Sequence, residues 1–198
     1  MAWKVLGTKR LFDNPWLTVR QDDVGLPNGQ RIEDYFVLEY PDWCHVLALT
    51  PDNDVVLVKQ YRHPLEEDSL ELPGGVVDET GDRQAAALSA VKRELLEETG
   101  YGGGMFKHLA SLSPNPATHN NLMHSFIATD VKLQASQSLD ATEEIEVVLK
   151  PLAEFIDLAA QGKIMQTMQV STLFLALHQL GMIEKYLENK KLENGKIL

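Results

Sequence analysis

The sequence predicts an α/β protein. Strand-like runs rich in β-branched and aromatic residues fill the first third of the chain and return between Lys107 and Thr129. One long helical pattern, from about Gln84 to Thr99, separates the two groups. Two further helical patterns, Leu152 to Gln161 and Gln166 to Leu180, come near the end. A length of 198 residues suits one medium domain, or a domain with a small extension.

The elements follow in order. Trp16 to Arg20 is β-rich, Pro27-Asn28-Gly29-Gln30 carries the Asn-Gly turn signal, and Arg31 to Tyr40 has strand composition, so the start reads as a hairpin. Pro41-Asp42 punctuates it. His45 to Thr50 and Val55 to Gln60 are strands joined by the turn Pro51 to Asp54, and they form the centre of a sheet. Glu66 to Ser69 reads as a charged loop and Ser69 to Leu72 as a short strand broken by Pro73-Gly74-Gly75. The main helix ends at Gly100, which fits a left-handed cap. Strands follow at Lys107 to Leu112 and Leu122 to Thr129, with the loop Ser113-Pro114-Asn115-Pro116 between them. Gln134 to Thr142 is polar and reads as a mobile connection into the strand Val147 to Leu149. In the last helix Val170, Leu173, Phe174, Leu177 and Leu180 recur at helical spacing and mark a core or dimer face. The residues after Gly181 form a charged tail that frays.

Composition narrows the function. A formal charge of −11 argues against a general nucleic-acid or anionic-membrane binder. Cys44 is the only cysteine, so no disulfide forms within one chain and a reducing, cytoplasmic compartment is expected. The opening MAWKVLGTKR lacks the apolar core of a signal peptide, and no run approaches the roughly 20 apolar residues needed to cross a membrane.

The concentrated chemistry lies at the end of the main helix. Residues three and four apart are helix neighbours, so Glu94, Glu97 and Glu98 share one narrow stripe. They repel one another and crowd the C-terminal turn, where the helix dipole already disfavours anions. Ala87, Ala90 and Val91 on the same stripe suggest a packed face rather than open water. A hard divalent cation reverses the sign of the problem, because Mg²⁺ takes carboxylates together with substrate phosphate oxygens.

Arg93-Glu94-Leu95-Leu96-Glu97-Glu98-Thr99-Gly100-Tyr101, preceded by Glu71-Leu72-Pro73-Gly74-Gly75, resembles the signature of the Nudix hydrolases. The C-terminal half matches. The N-terminal half is out of register: Arg93 lies eighteen positions after Gly75, where the signature has fourteen. The signature's loop glutamate falls on Gly81 or Ala85, and Asp78, Glu79 or Asp82 is left to supply its charge. Gln60-Tyr61-Arg62, the Ser113 to Pro116 loop and the last helix resemble the members that cleave ADP-ribose and other nucleoside diphosphate sugars.

That resemblance implies a Nudix α/β/α sandwich with a mixed sheet between helices, plus the N-terminal antiparallel hairpin. Residues 1–42 are then an extension used in dimerisation, 43–183 the hydrolase domain and 184–198 the tail. It implies Mg²⁺, with Mn²⁺ as an alternative, held by Glu94, Glu97, Glu98 and the Gly74 carbonyl. A lid glutamate, Glu143 first and Glu144 second, reaches the metal site as ligand or general base, and Arg93 orients Glu97. Two roles stay open for Arg62: pairing with Glu71 or reaching the substrate. Asn115 sits where the subgroup usually has glycine near the active site. Trp16 and Trp3 are candidates to stack on the nucleobase, across a homodimer. The implied reaction is hydrolysis of a nucleoside diphosphate sugar to a nucleoside monophosphate and a sugar phosphate. A triphosphate or dinucleotide polyphosphate pyrophosphatase and a non-catalytic nucleotide-sugar sensor are the alternatives.

Overall fold

The computed structural model describes residues 2–14 and 17–185. The chain opens with an antiparallel meander of β1 (Lys4–Asn14), β2 (Leu17–Gly25) and β3 (Arg31–Glu39). The expected hairpin is the β2–β3 pair, turned at Gly29 with φ 86°, and β1 adds a third strand that is exposed along its whole length. Arg20 on β2 pairs with Asp22 on its own strand and reaches across to Glu39 on β3. Backbone bonds from Leu38 N–H to Thr118 O (2.8 Å) and from Asn120 N–H to Leu38 O (3.3 Å) stitch the meander to the rest of the protein.

The main sheet has the order β12 (Glu146–Pro151), β5 (Asp54–Arg62), β4 (Trp43–Leu49), β10 (Met123–Thr129), β9 (Met105–Leu112), and β8 (Tyr101–Gly102) pairs apart from it with β11 (Lys132–Leu133). β4 and β10 run parallel and the other neighbours antiparallel, so the sheet is mixed. β4 changes partner along its length. Its start, Trp43 to His45, pairs with β7 (Gly74–Val76), and its end, Ala48 and Leu49, pairs with β5. β5 in turn passes from β4 to β6 (Glu67–Glu71). The chain between β6 and β7, Leu72-Pro73, therefore crosses a splay in the sheet.

Alternation along the central strands builds two cores. Val46, Ala48, Val56 and Phe126 face helix α1 (Arg83–Thr99) and its Ala87, Ala90 and Val91. Leu47, Leu49, Val55 and Ile127 face α2 (Leu152–Ala160) and α3 (Thr167–Gln179). A sheet covered on both faces explains why these strands read as unbroken apolar runs. α1 starts on Asp82, whose carboxylate accepts the Ala85 N–H at 2.8 Å, and ends on Gly100 at φ 74°.

Three expectations change. Glu67 and Asp68 belong to a strand, not a loop: β6 is an edge strand whose charges face water, and Asp68 pairs with Lys59 at 2.9 Å. The inner face of α3 is Gln169, Thr172, Leu173 and Ala176, while Phe174 and Val170 point outward. The polar connection after Gln134 is tied down rather than loose: Gln134 N–H donates to Gly100 O at 2.8 Å and Ser138 N–H to Glu97 O at 2.8 Å. Its backbone answers carbonyls that a helix end leaves unpaired.

Candidate active site

Helix α1 turns its last acidic residues toward the β6–β7 crossing. Glu98 is 5% exposed, and one of its carboxylate oxygens accepts the Gly74 N–H at 2.9 Å. Burial, helped by the charges of Glu94 and Glu143, pushes the Glu98 carboxyl up to about 8 against the opposing pull of Gly74 N–H and Arg62. Glu94 is raised as well, chiefly by burial and then by Glu97 and Glu143, with Arg93 opposing.

Arg93 forks over this end of the helix. Its Nη1 lies 3.0 Å from Glu94 Oε1 and 3.0 Å from Glu97 Oε2, and its Nη2 lies 3.4 Å from Asp78. The three acidic residues left open in the displaced loop thus separate. Asp78 meets Arg93, Glu79 accepts a hydrogen bond from the Ser89 hydroxyl, and Asp82 caps α1.

Gly74 and Gly75 form a cradle that a side chain would fill. A Cβ on Gly75 would stand 2.6 Å from Glu94 Oε1, and one on Gly74 would stand 2.1 Å from the Cys44 carbonyl oxygen. Among the described residues no three His, Cys, Asp or Glu side chains already converge as a metal cage. Glu97 is committed to Arg93 and Glu98 to Gly74 in this arrangement. The donor chemistry nevertheless fits a hard divalent cation. All the donors are oxygens, Glu94 and Glu98 are both desolvated with Arg93 shared between Glu94 and Glu97, and Gly75 lets its backbone lie directly against the Glu94 carboxylate.

The two glutamates expected in a lid divide. Glu143 reaches Glu94 and Glu98 electrostatically, raising both, while its Oε2 accepts the Asp140 N–H at 3.0 Å. Glu144 lines a different cleft of about 460 Å³ with Lys59, Gln60, Tyr61 and Asp68. Gln137 fastens the lid's root, its amide donating to Glu98 O at 2.7 Å and to Ile145 O at 3.1 Å.

Arg62 and Glu71 form a two-pronged ion pair, with both N–H···O distances 2.7 Å. Burial pushes the Glu71 carboxyl up, but Arg62, Ser69 and Gln169 together hold it below its ordinary value. Gln169 from α3 is 2% exposed and accepts the Leu72 N–H at 2.8 Å. The apolar count along α3 gave no sign of it. Asn115 is spent on its own loop, its side chain accepting the Ala117 N–H at 3.2 Å. Trp16 lies outside the described residues. Trp3 is 48% exposed and meets Tyr35 edge-on with centroids 5.8 Å apart.

Comparison with known proteins adds a second line. A model described as the NUDIX domain matches residues 42–168, and one described as the nucleoside diphosphate sugar hydrolase N-terminal domain matches residues 3–38. The chain is 32% identical over 162 residues to a methanol dehydrogenase activator of Bacillus methanolicus, covering 81% of this chain and 85% of that protein. It is 28% identical over 162 residues to an ADP-ribose pyrophosphatase of Bacillus subtilis, covering 81% and 85%. A crystal structure of an ADP compounds hydrolase superposes with a TM-score of 0.77 at 25% identity, covering 92% of this chain and 97% of that one.

Proposed function

Because the chain belongs to the Nudix family, we propose that it hydrolyses the pyrophosphate bond of nucleoside diphosphate sugars, ADP-ribose first among them. Water adds to one phosphorus, the bridging P–O bond breaks, and ADP-ribose gives AMP and ribose 5-phosphate. The observation that carries this reading is the desolvated Glu94–Glu98 pair set against the Gly74–Gly75 cradle within reach of the Glu143 charge. The match of residues 3–38 to the sugar-hydrolase N-terminal model favours a nucleoside diphosphate sugar over a triphosphate.

Glu94, Glu97, Glu98 and the Gly74 carbonyl would hold Mg²⁺, with Mn²⁺ as a substitute. A cation held there would supply positive charge against the diphosphate and so favour attack by water. Glu143 accepts the proton of the attacking water. Arg93 holds Glu97 and the Asp78 loop in place, and Gly75 lets a phosphate approach the helix end closely. Arg62 acts through Glu71 rather than on substrate.

The exposed apolar side chains of the meander, Val5, Leu6, Leu11 and Phe12 among them, supply a face for a homodimer in which Trp3 lies near the nucleobase. The buried free thiol of Cys44 suits the cytoplasm. No helix among the described residues is long and apolar enough to cross a membrane.

A coupled phosphate-release screen over ADP-ribose, ADP-glucose, UDP-glucose, GDP-mannose, diadenosine polyphosphates and nucleoside triphosphates tests the substrate. ADP-ribose should head the series, EDTA should abolish turnover, and Glu97→Gln or Glu98→Gln should remove it with the circular dichroism spectrum intact. Faster turnover of triphosphates, or binding of ADP-ribose without hydrolysis in Mg²⁺, overturns the proposal.

A further inference from the structure

The inner face of α3 carries two polar residues where a core helix ordinarily carries apolar ones. Gln169 is 2% exposed and Thr172, one turn on, is 0% exposed. Burying such groups costs free energy unless each finds a partner, and both find theirs on the strands that enter the site. The Gln169 amide oxygen takes the Leu72 N–H at 2.8 Å, and the same side chain helps hold the Glu71 carboxyl low. Two residues beyond Leu72, the Gly74 N–H holds Glu98 at 2.9 Å. The Thr172 hydroxyl donates to Ser125 Oγ at 2.7 Å and meets His45 Nε2, and His45 is the cross-strand partner of Gly74. The segment that presents Gly74 to α1 is thus gripped from the opposite face of the sheet, on both sides of the splay.

Resting on the reading above, we propose that Gln169 is a positioning residue for the cation site. It fixes the height of the Leu72-Pro73-Gly74 backbone, and so where the Gly74 carbonyl and the Glu98 carboxylate stand relative to each other. The same side chain helps keep Glu71 ionised, and Glu71 fastens Arg62 through two bonds of 2.7 Å, so one residue bears on two site elements. Neither half is supplied by the apolar core, which fixes the distance of α3 from the sheet but not the pitch of a two-residue crossing.

The test is Gln169→Met, which keeps the length and removes both hydrogen-bonding functions. Mn²⁺ binding, followed by the loss of the free-ion electron paramagnetic resonance signal, should weaken about tenfold, in the range seen when groups supporting metal ligands are removed. With ADP-ribose, kcat should fall about tenfold while KM moves less than about twofold, because the diphosphate-sugar contacts are untouched. Leu173→Ala, matched for lost thermal stability, should leave Mn²⁺ affinity within about twofold of wild type. Where Gln169→Met does not fold, Gln169→Asn, with its amide withdrawn by one methylene, should show the same weakening. Wild-type Mn²⁺ affinity in a folded Gln169 variant, or an equal loss in Leu173→Ala, overturns the proposal. A wild-type protein that binds Mn²⁺ but turns over no ADP-ribose sinks the substrate reading alone, since the Mn²⁺ comparison still decides the part played by Gln169. A wild type that binds no Mn²⁺ overturns both.

Discussion

Replacing Glu98 by Gln should stabilise the cation-free protein at neutral and alkaline pH while destroying its activity. Burial pushes this carboxyl from an ordinary 4.5 up to about 8, so the folded chain keeps a proton that the unfolded chain releases. Each unit of difference is worth about 1.4 kcal/mol. The mismatch therefore removes up to about 5 kcal/mol of stability as pH climbs from about 4.5 to 8, and nothing below that window. The sign is that of an acid whose folded value is raised: stability is complete at low pH and lost on the way up. Glutamine keeps the shape and an oxygen to accept the Gly74 N–H, but carries no proton to lose. Urea midpoints in EDTA at pH 5, 6, 7 and 8 measure the effect. The two proteins should coincide near pH 4.5 and diverge steadily above it, with the wild type falling. Mg²⁺ at pH 8 should raise the wild-type midpoint and leave Glu98→Gln unmoved. Parallel curves across the whole range would refute the account of Glu98 as a desolvated carboxylate.

Gly75→Ala should cost activity more than stability, because what its new Cβ meets first is the movable Glu94 carboxylate; about a hundredfold in kcat/KM follows from an ångström of displacement. Gly74→Ala meets the Cys44 backbone instead and should lower the melting temperature sharply, with thermal unfolding as the readout for both. Gln137→Met removes the two lid bonds, worth about 1 kcal/mol each, and should speed amide exchange across residues 138–146 while the core stays protected; unchanged exchange there contradicts the tie. Burial lowers the His45 imidazole to about 4 from 6.5, so His45 supports the fold above pH 6.5 and that support is lost as pH falls toward 4. His45→Gln should flatten the acid limb of the stability curve by up to about 3 kcal/mol between those values, measured by urea midpoints.

What the sequence revealed of this molecule was what is local. α1 was legible because its caps, its small apolar face and its acidic stripe all lie within one helix. The mixed sheet with helices on both faces followed from the family resemblance. Charge hid β6, since Glu67 and Asp68 suit an edge strand as well as a loop, and only pairing with Tyr61 and Arg62 decides. On α3 the apolar spacing grouped Phe174 and Val170 with Leu173 as a core or dimer face, of which Leu173 is buried and the other two are exposed. The sheet asks for hydrogen-bond partners at Leu72 and His45, so Gln169 and Thr172 took those places and turned the helix. Gln137 was invisible for the same reason, because its two partners come from residues 98 and 145. The four extra residues before Arg93 could not be assigned by counting; distances to Arg93, Ser89 and Ala85 separate Asp78, Glu79 and Asp82.

The anchorage at Gln137 turns the following segment into a leash with unequal ends. Ile145 is held at one end and Ser138 at the other, and Glu143 sits two residues from the nearer knot. At about 3.5 Å of contour per residue, that carboxylate's backbone can wander no more than roughly 7 Å from its post, whatever the middle of the loop is doing. Length added between Ser138 and Asp140 should therefore be absorbed as slack, whereas a single residue added between Glu143 and Ile145 would lengthen the short tether itself. Any graft meant to retune the entrance without silencing the chemistry belongs on the far side of Asp140.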